Sequence, residues 1–293
     1  MNMGYNMKYD INSFNDYIKL LKKYKHKHPG EELWFRGQRD YRWNLEPNLY
    51  RDKVLDVEED KICLLRYKIP DFLGEFDRFI EKIEIDKLFD IEQLNRFQIM
   101  FLGQHYGLLT PVLDWTTDPL AAMFFALDNY IYNKDIYPVI YIMNPAFCNS
   151  YSGKVWSDKS KIKEPICIDG ENMDHYFDEW IKTLAEASHI PTALCSKQEF
   201  SYRISRQSGN FTLHSPRQPF NFKWNDTFIS GRSLVDMFTI NPDTTKEIKL
   251  CLECLNINKF TLYKIDSNKL DDESTKIKNE TIKRFQDELI NCK

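Results

Sequence analysis

Gln104-His105-Tyr106-Gly107-Leu108-Leu109-Thr110-Pro111-Val112-Leu113-Asp114-Trp115-Thr116-Thr117-Asp118-Pro119-Leu120-Ala121-Ala122-Met123-Phe124-Phe125-Ala126 is the stretch on which the reading of this chain turns. It sets a polar, aromatic-rich loop against the start of a strongly apolar helix, with Asp, Trp and Thr crowded at the junction. The first N–H groups of a helix lack intrahelical acceptors, so Asp114, Thr116 or Asp118 is expected to cap them, with Pro119 in the first turn. The same N–H groups can also receive an anion. Capping alone and ligand binding are both open at this point, and they need not compete.

Outward from that junction, composition sets the frame. The 293 residues suffice for a sizeable core, and 42% hydrophobic against 29% charged residues excludes a disordered chain. A net charge of -4 makes the molecule as a whole no electrostatic trap for nucleic acid, so any such contact must be local. Lys19 to His28 reads as a solvated, Lys-rich helix face. Seven scattered cysteines, an odd number, are expected to be reduced thiols of a cytoplasmic protein, and Cys251 and Cys254 to be core residues rather than half of a metal site. No apolar run is long enough to cross a bilayer and the first ten residues lack a signal-peptide core, so no membrane partner is expected.

Periodicity predicts a helix from Ser13 to Pro29-Gly30, a short buried strand at Leu33-Trp34-Phe35, and helices near 57–68, 71–84 and 91–102. Gly37 is read as permitting a sharp backbone change after the strand. His105 and Tyr106 are expected to lie in a turn after the third of these helices. The apolar helix is expected to run from Thr117 to about Asn133, and Tyr137 to Met143 to form a strand. Residues 149–170 read as a loop, Asp174 to Ala187 as a helix, and 200–204 with 210–214 as strands around Ser208-Gly209. Beyond an aromatic loop at 215–231, Ser233 to Ile240 and Ile248 to Leu255 add a strand and a helix, Phe260 to Ile265 a strand, and the tail from Ser274 a helix. No repeat or linker divides the chain, so one domain over 1–293 is expected.

Three clusters carry chemistry. Arg36, leaving a core strand in Phe35-Arg36-Gly37-Gln38, presents a rigid fork suited to phosphate or carboxylate, or pairs internally with an acid. Tyr106 beside His105 offers a stacking wall, and Asp114-Trp115-Thr116 an acceptor, a ring and a hydroxyl. In Arg203-Ile204-Ser205-Arg206-Gln207-Ser208-Gly209-Asn210-Phe211, strand geometry puts Arg203, Ser205 and Gln207 on one face, with a solvated bulge as the plain alternative. None of the P-loop, dinucleotide, nucleophile-elbow or zinc-protease signatures is present.

These clusters resemble the FRG domain. The resemblance rests on Trp34-Phe35-Arg36-Gly37-Gln38, Leu45-Glu46-Pro47-Asn48-Leu49-Tyr50-Arg51, the Gln104–Ala126 stretch, and Arg203-Ile204 with Gln207, Gly209 and Phe211-Thr212, spanning about residues 30–215. More distantly, Leu33 to Gly37 and Val112 to Thr116 are similar to the first two strands of ADP-ribosyltransferases. That resemblance implies an α+β fold, a split and mainly antiparallel sheet wrapped by helices with helical insertions, and residues 216–293 completing or flanking the core.

It also implies NAD as substrate. Arg36 and Gly37 would meet its diphosphate or ribose, His105 and Tyr106 its nicotinamide, Asp114, Trp115 and Thr116 its ribose, and Gln207 a ribose hydroxyl as the second catalytic residue. The activity implied is ADP-ribosyl transfer to a macromolecule, by an intracellular toxin or antiviral effector held by an antitoxin or regulatory protein. Arg203, Arg206, Phe211 and Arg217 would contact an RNA or DNA acceptor. The third cluster departs from the enzymes in lacking their catalytic Glu. That departure keeps a non-catalytic module binding a nucleotide or a partner protein in view, beside an NAD hydrolase.

Overall fold

A computed structural model describes residues 9–51, 74, 76–81, 94–105, 108–152, 164–182, 190–196, 209–214, 228–229, 231–262, 276 and 279–280. They fall into two compact units that interleave along the chain. The first takes Met1–Asn44, Thr116–Asn144 and Trp224–Tyr263, the second Leu45–Trp115, Pro145–Lys223 and Lys264–Lys293. The class is α+β, and among the described ladders only that of Ile166–Cys167 with Thr192–Cys195 is parallel.

In the first unit, α1 (Phe14–Lys27) begins at Ser13, whose hydroxyl accepts from the Asp16 N–H at 3.1 Å. Asp16 in the first turn and Lys25, His26 and Lys27 in the last suit the helix dipole. Its buried anchor is Tyr17, whose hydroxyl donates to the Pro119 carbonyl at 2.7 Å. Burial, with Asp118 nearby, pushes that phenol's pKa well up, so it stays a neutral donor. The strands β1 (Trp34–Gln38), β3 (Val139–Met143) and β9 (Val235–Thr239) follow in the order β1-β3-β9.

Register decides which residues share a face. Phe35 lies opposite Ile142 and Gly37 opposite Ile140, so these four point to one side, where Ala122, Met123 and Ala126 of α4 (Pro119–Leu127) complete the core. Trp34, Arg36 and Gln38 point to the other side, opposite Met143, Tyr141 and Val139. A Cβ on Gly37 would lie 2.0 Å from the Ala122 carbonyl oxygen and 2.5 Å from the Ala126 nitrogen. Gly37 therefore serves close helix-on-strand packing. This corrects the expected sharp turn there, since the strand continues through Gln38.

The second unit orders its strands β4 (Ile166–Cys167), β5 (Thr192–Cys195), β6 (Gly209–Leu213) and β2 (Val112–Thr116), the last residue of β2 pairing with Phe35 inside the first unit. Besides the short α2 (Asn48–Arg51) and α5 (Pro145–Tyr151), it contains α3 (Arg96–His105), opened by reciprocal Asn95–Gln98 bonds, and α6 (Met173–Lys182). Phe101, Phe177 and Phe211 are fully buried in its core.

Other expectations shift for local reasons. Helix α4 stops at Leu127, because Asp128 takes an extended conformation and Asn129 a φ of 54°. His105 is the last residue of α3 rather than part of a following turn. The strand expected from Phe260 is instead a short helix, α8 (Lys259–Leu262), whose first N–H groups at Phe260 and Thr261 are capped by the Asn258 side-chain Oδ1. On α7 (Thr245–Cys254), Cys254 is exposed and Cys251 half-buried, so this pair is not in the core. The hairpin β7 (Phe228–Ile229) and β8 (Arg232–Ser233) turns at Gly231, and β5 adds a strand beyond those that periodicity predicts. The helix predicted at 57–68 lies outside the described residues.

Gly37→Ala tests the packing. Replacing a glycine can gain about 0.5–1 kcal/mol through the unfolded chain, whereas forcing atoms into a filled core costs about 1–3 kcal/mol or more. The clash should win, and urea denaturation should show a net loss of roughly 2 kcal/mol; unchanged or raised stability would contradict the close approach.

Candidate functional site

Strand β1 carries the arginine and is held at both ends. At its entry, Glu31 accepts from Arg232 Nη2 at 2.6 Å and Nη1 at 3.3 Å, and from Asn144 Nδ2 at 2.6 Å, while His28 Nδ1 lies 3.3 Å away. The Arg232 bonds are the main reason the Glu31 carboxyl falls to about 2. At its exit, Gln38 donates from Nε2 to the Trp43 carbonyl at 3.0 Å and accepts from Arg36 Nε at 3.3 Å. The guanidinium is half-buried on the face away from α4, oriented by a side chain that is itself fixed to the backbone. An arginine so placed can pair with phosphate or ribose oxygens.

The Gln104–Ala126 stretch divides its polar groups between two tasks. Within the second unit, Gln104 Nε2 donates to Asp114 Oδ1 at 3.0 Å, and the Thr110 hydroxyl donates to Gln104 Oε1. Asn48 stitches the same loop, accepting from the Thr110 N–H and donating to the Leu108 carbonyl, both at 2.9 Å. Within the first unit, Asp118 caps α4 by accepting from the Leu120 N–H at 2.8 Å, and Thr116 Oγ1 accepts from the Asp118 N–H at 3.0 Å. Of the three expected caps, Asp118 does the capping. Its carboxylate closes the helix start, which disfavours an anion there.

Four of the expected ligand contacts are placed otherwise. Gly37 faces α4, leaving no room for a cofactor on that side. Trp115 is 3% exposed and its indole N–H donates to Thr212 Oγ1 at 3.0 Å, which in turn lies 3.0 Å from His214 Nε2. Thr116 is equally buried and holds the Asp118 turn. Phe211, expected at a nucleic-acid surface, is 0% exposed and stacked on Phe101 at 3.7 Å between centroids, so no base can reach it. Tyr106, Arg203, Arg206, Gln207 and Arg217 lie outside the described residues. Arg36 belongs to the first unit and Asp114 to the second.

The Asn48–Thr110 stitch and the Trp115–Thr212 bond escape a reading of spacing, because their partners lie 62 and 97 residues apart. Their signal in the sequence is chemical: an Asn, a Thr and a Trp in short motifs, each able to bond across the fold. Among the described residues no three His, Cys, Asp or Glu side chains are grouped to hold a metal, and no helix is long and apolar enough to cross a membrane.

The Glu31 cluster predicts an acid limit. Its carboxyl titrates near 2 when folded against 4.5 ordinarily, so its contribution is complete above about pH 4.5 and is lost as pH falls towards 2. Glu31→Gln should flatten stability against pH across that window in denaturant titrations; parallel curves for both proteins would contradict the assignment.

A search of curated proteins and one of solved structures each returned no match to the chain. The family model described as FRG domain matches residues 31–135, which hold the β1 motif, Asn48, Gln104 to Thr116 and α4, and end before the third cluster. With the two motifs that position Arg36 and Asp114 inside the matched segment, the chain carries an FRG domain over residues 31–135.

Proposed function

We propose that this FRG domain binds NAD and transfers its ADP-ribosyl group to a macromolecule, with Arg36 as the anchor for diphosphate or ribose. One observation carries the reading: the Arg36 guanidinium stands half-buried on the β1 face opposite α4, oriented through Gln38 and the Trp43 carbonyl. Pre-orienting a bidentate donor lowers the entropy lost on binding a phosphate. His105 and Tyr106 would wall the nicotinamide, Asp114 would orient a ribose, and Gln207 would bond its hydroxyl. The split ADP-ribosyltransferase sheet, and service as a cytoplasmic toxin or antiviral effector under an antitoxin, belong to the same reading.

In the transfer, the C1′–N bond to nicotinamide breaks and its electron pair neutralises the pyridinium. A nucleophilic N or O of the acceptor bonds C1′, and the proton it sheds passes to solvent. The transition state is oxocarbenium-like, so fixed dipoles and charges around ribose and diphosphate matter most. Arg36 supplies positioning and charge in that scheme.

A second reading, a non-catalytic module that binds a nucleotide or a partner, is favoured by one set of placements. Gly37, Trp115, Thr116 and Phe211 are all used for packing or capping. The catalytic Glu of the enzymes is also missing from the third cluster.

Incubation with labelled NAD and total RNA, DNA or protein separates these readings. Transfer is expected to label a macromolecule, and Arg36→Lys, which keeps the charge but loses the fork, should slow it about tenfold or more. Calorimetric NAD binding without turnover would select the module. Free ADP-ribose without a labelled acceptor would select a hydrolase, and neither binding nor nicotinamide release would end the NAD reading.

A further inference from the structure

The turn that follows β1 places an exposed aromatic ring among arginines. Trp43 is 46% exposed, and the Arg39 guanidinium carbon lies 5.3 Å from its ring centroid. The ring does not hang from a loose loop. The Trp43 backbone N–H donates to the Asp40 carbonyl at 3.1 Å, and the Trp43 backbone carbonyl accepts from Gln38 Nε2 at 3.0 Å. Asp40 is buried and clamps Arg42 three ways, through the backbone N–H at 2.9 Å, Nε at 2.9 Å and Nη2 at 2.6 Å. Those bonds hold the Asp40 carboxyl below the ordinary carboxylate range. Alongside, the Tyr41 N–H donates to the Tyr137 carbonyl at 3.1 Å, and the two rings stack at 4.0 Å, 3° from parallel.

Basic charge gathers along the end of β1 and this turn. Residues 36–43 contain Arg36, Arg39 and Arg42 against Asp40 alone, three positive charges and one negative for a local balance of +2, in a chain of net charge -4. Basic residues interleaved with an exposed ring are what an unpaired base and its flanking phosphates require. The basic, aromatic region expected further along the chain cannot serve in this way through Phe211, which is buried.

We propose that the Asp40–Trp43 turn is a stacking ledge for unpaired bases of a single-stranded nucleic acid. Stacking on one ring contributes about 1–3 kcal/mol, less than the roughly 4 kcal/mol that even a millimolar complex needs. An open ledge of this kind therefore gains affinity when phosphate contacts along a strand add to it, and does little for a free mononucleotide. A duplex buries its base faces in its own stack and leaves nothing for the indole to meet. The ledge names the acceptor class for the proposed transfer and rests on that reading for its use there. Its test omits NAD, so the two fail separately.

The experiment is fluorescence anisotropy of the full chain with a labelled oligoadenylate of about 12 nucleotides, a length spanned by single-strand binding folds. Trp43→Ala should weaken binding about tenfold, while Trp43→Phe, which keeps a ring, should stay within about threefold of wild type. Arg39→Gln should weaken binding and make it less salt-dependent. The far-UV circular dichroism of each variant should match wild type, since Trp43 is half exposed. Four results would each overturn the proposal: no strand binding, Trp43→Ala indistinguishable from wild type, a duplex bound as tightly as the single strand, or AMP displacing the strand at equal concentration.

Discussion

Helix α4 lies so close to β1 that a single methyl group at Gly37 would collide with its backbone, 2.0 Å from the Ala122 carbonyl oxygen. Only a glycine on the strand and small residues on the helix permit that distance. Once it is reached, Phe35, Ile140 and Ile142 close over Met123 and Leu127, and Tyr17 of α1 docks through its hydroxyl onto Pro119. The apolar core of the first unit is built around this contact. The Asp118 cap and the Thr116 hydroxyl set where the helix begins, and so which small residues arrive opposite Gly37.

The same contact divides the labour along β1. Side chains alternate across a strand, so committing Phe35 and Gly37 to the helix commits Arg36 and Gln38 to the opposite face. Packing thereby orients Arg36, the residue of the Phe-Arg-Gly motif to which the proposed function assigns the ligand. Gln38 links that arginine to the turn at Trp43, and Glu31 fastens the other end of the strand to Arg232 and Asn144. In the second unit Asn48 and Gln104 do comparable work around Thr110, holding the loop that leads into β2.

Much of this was legible in the residues and some was not, for identifiable reasons. The α1 cap at Ser13 and the strand at 139–143 follow from local pattern, which needs no partner. Gly37 shows that backbone freedom is required somewhere, but whether for a turn or for a neighbour depends on a helix that begins only at Pro119, far along the sequence, and the structure answers for the neighbour. Trp115 and Phe211 look like ligand-binding aromatics in isolation. Their burial depends on Thr212 and Phe101, which no spacing rule connects to them. The helix at Lys259 has no signature in hydrophobic period because it is four residues long, and its one local signal is the capping residue Asn258. Asp114 kept a polar setting at the expected junction, bonded to Gln104.

Strand β1 turns its packing side to α4 and its proposed ligand side, marked by Arg36, away from it. A crystal structure of the protein with a non-hydrolysable NAD analogue tests this most directly. The account predicts the diphosphate or a ribose oxygen within hydrogen-bonding distance of the Arg36 guanidinium, with the α4 contact at Gly37 unchanged. An analogue bound with Arg36 turned away from it, or one that displaces α4 to reach Gly37, would contradict the account.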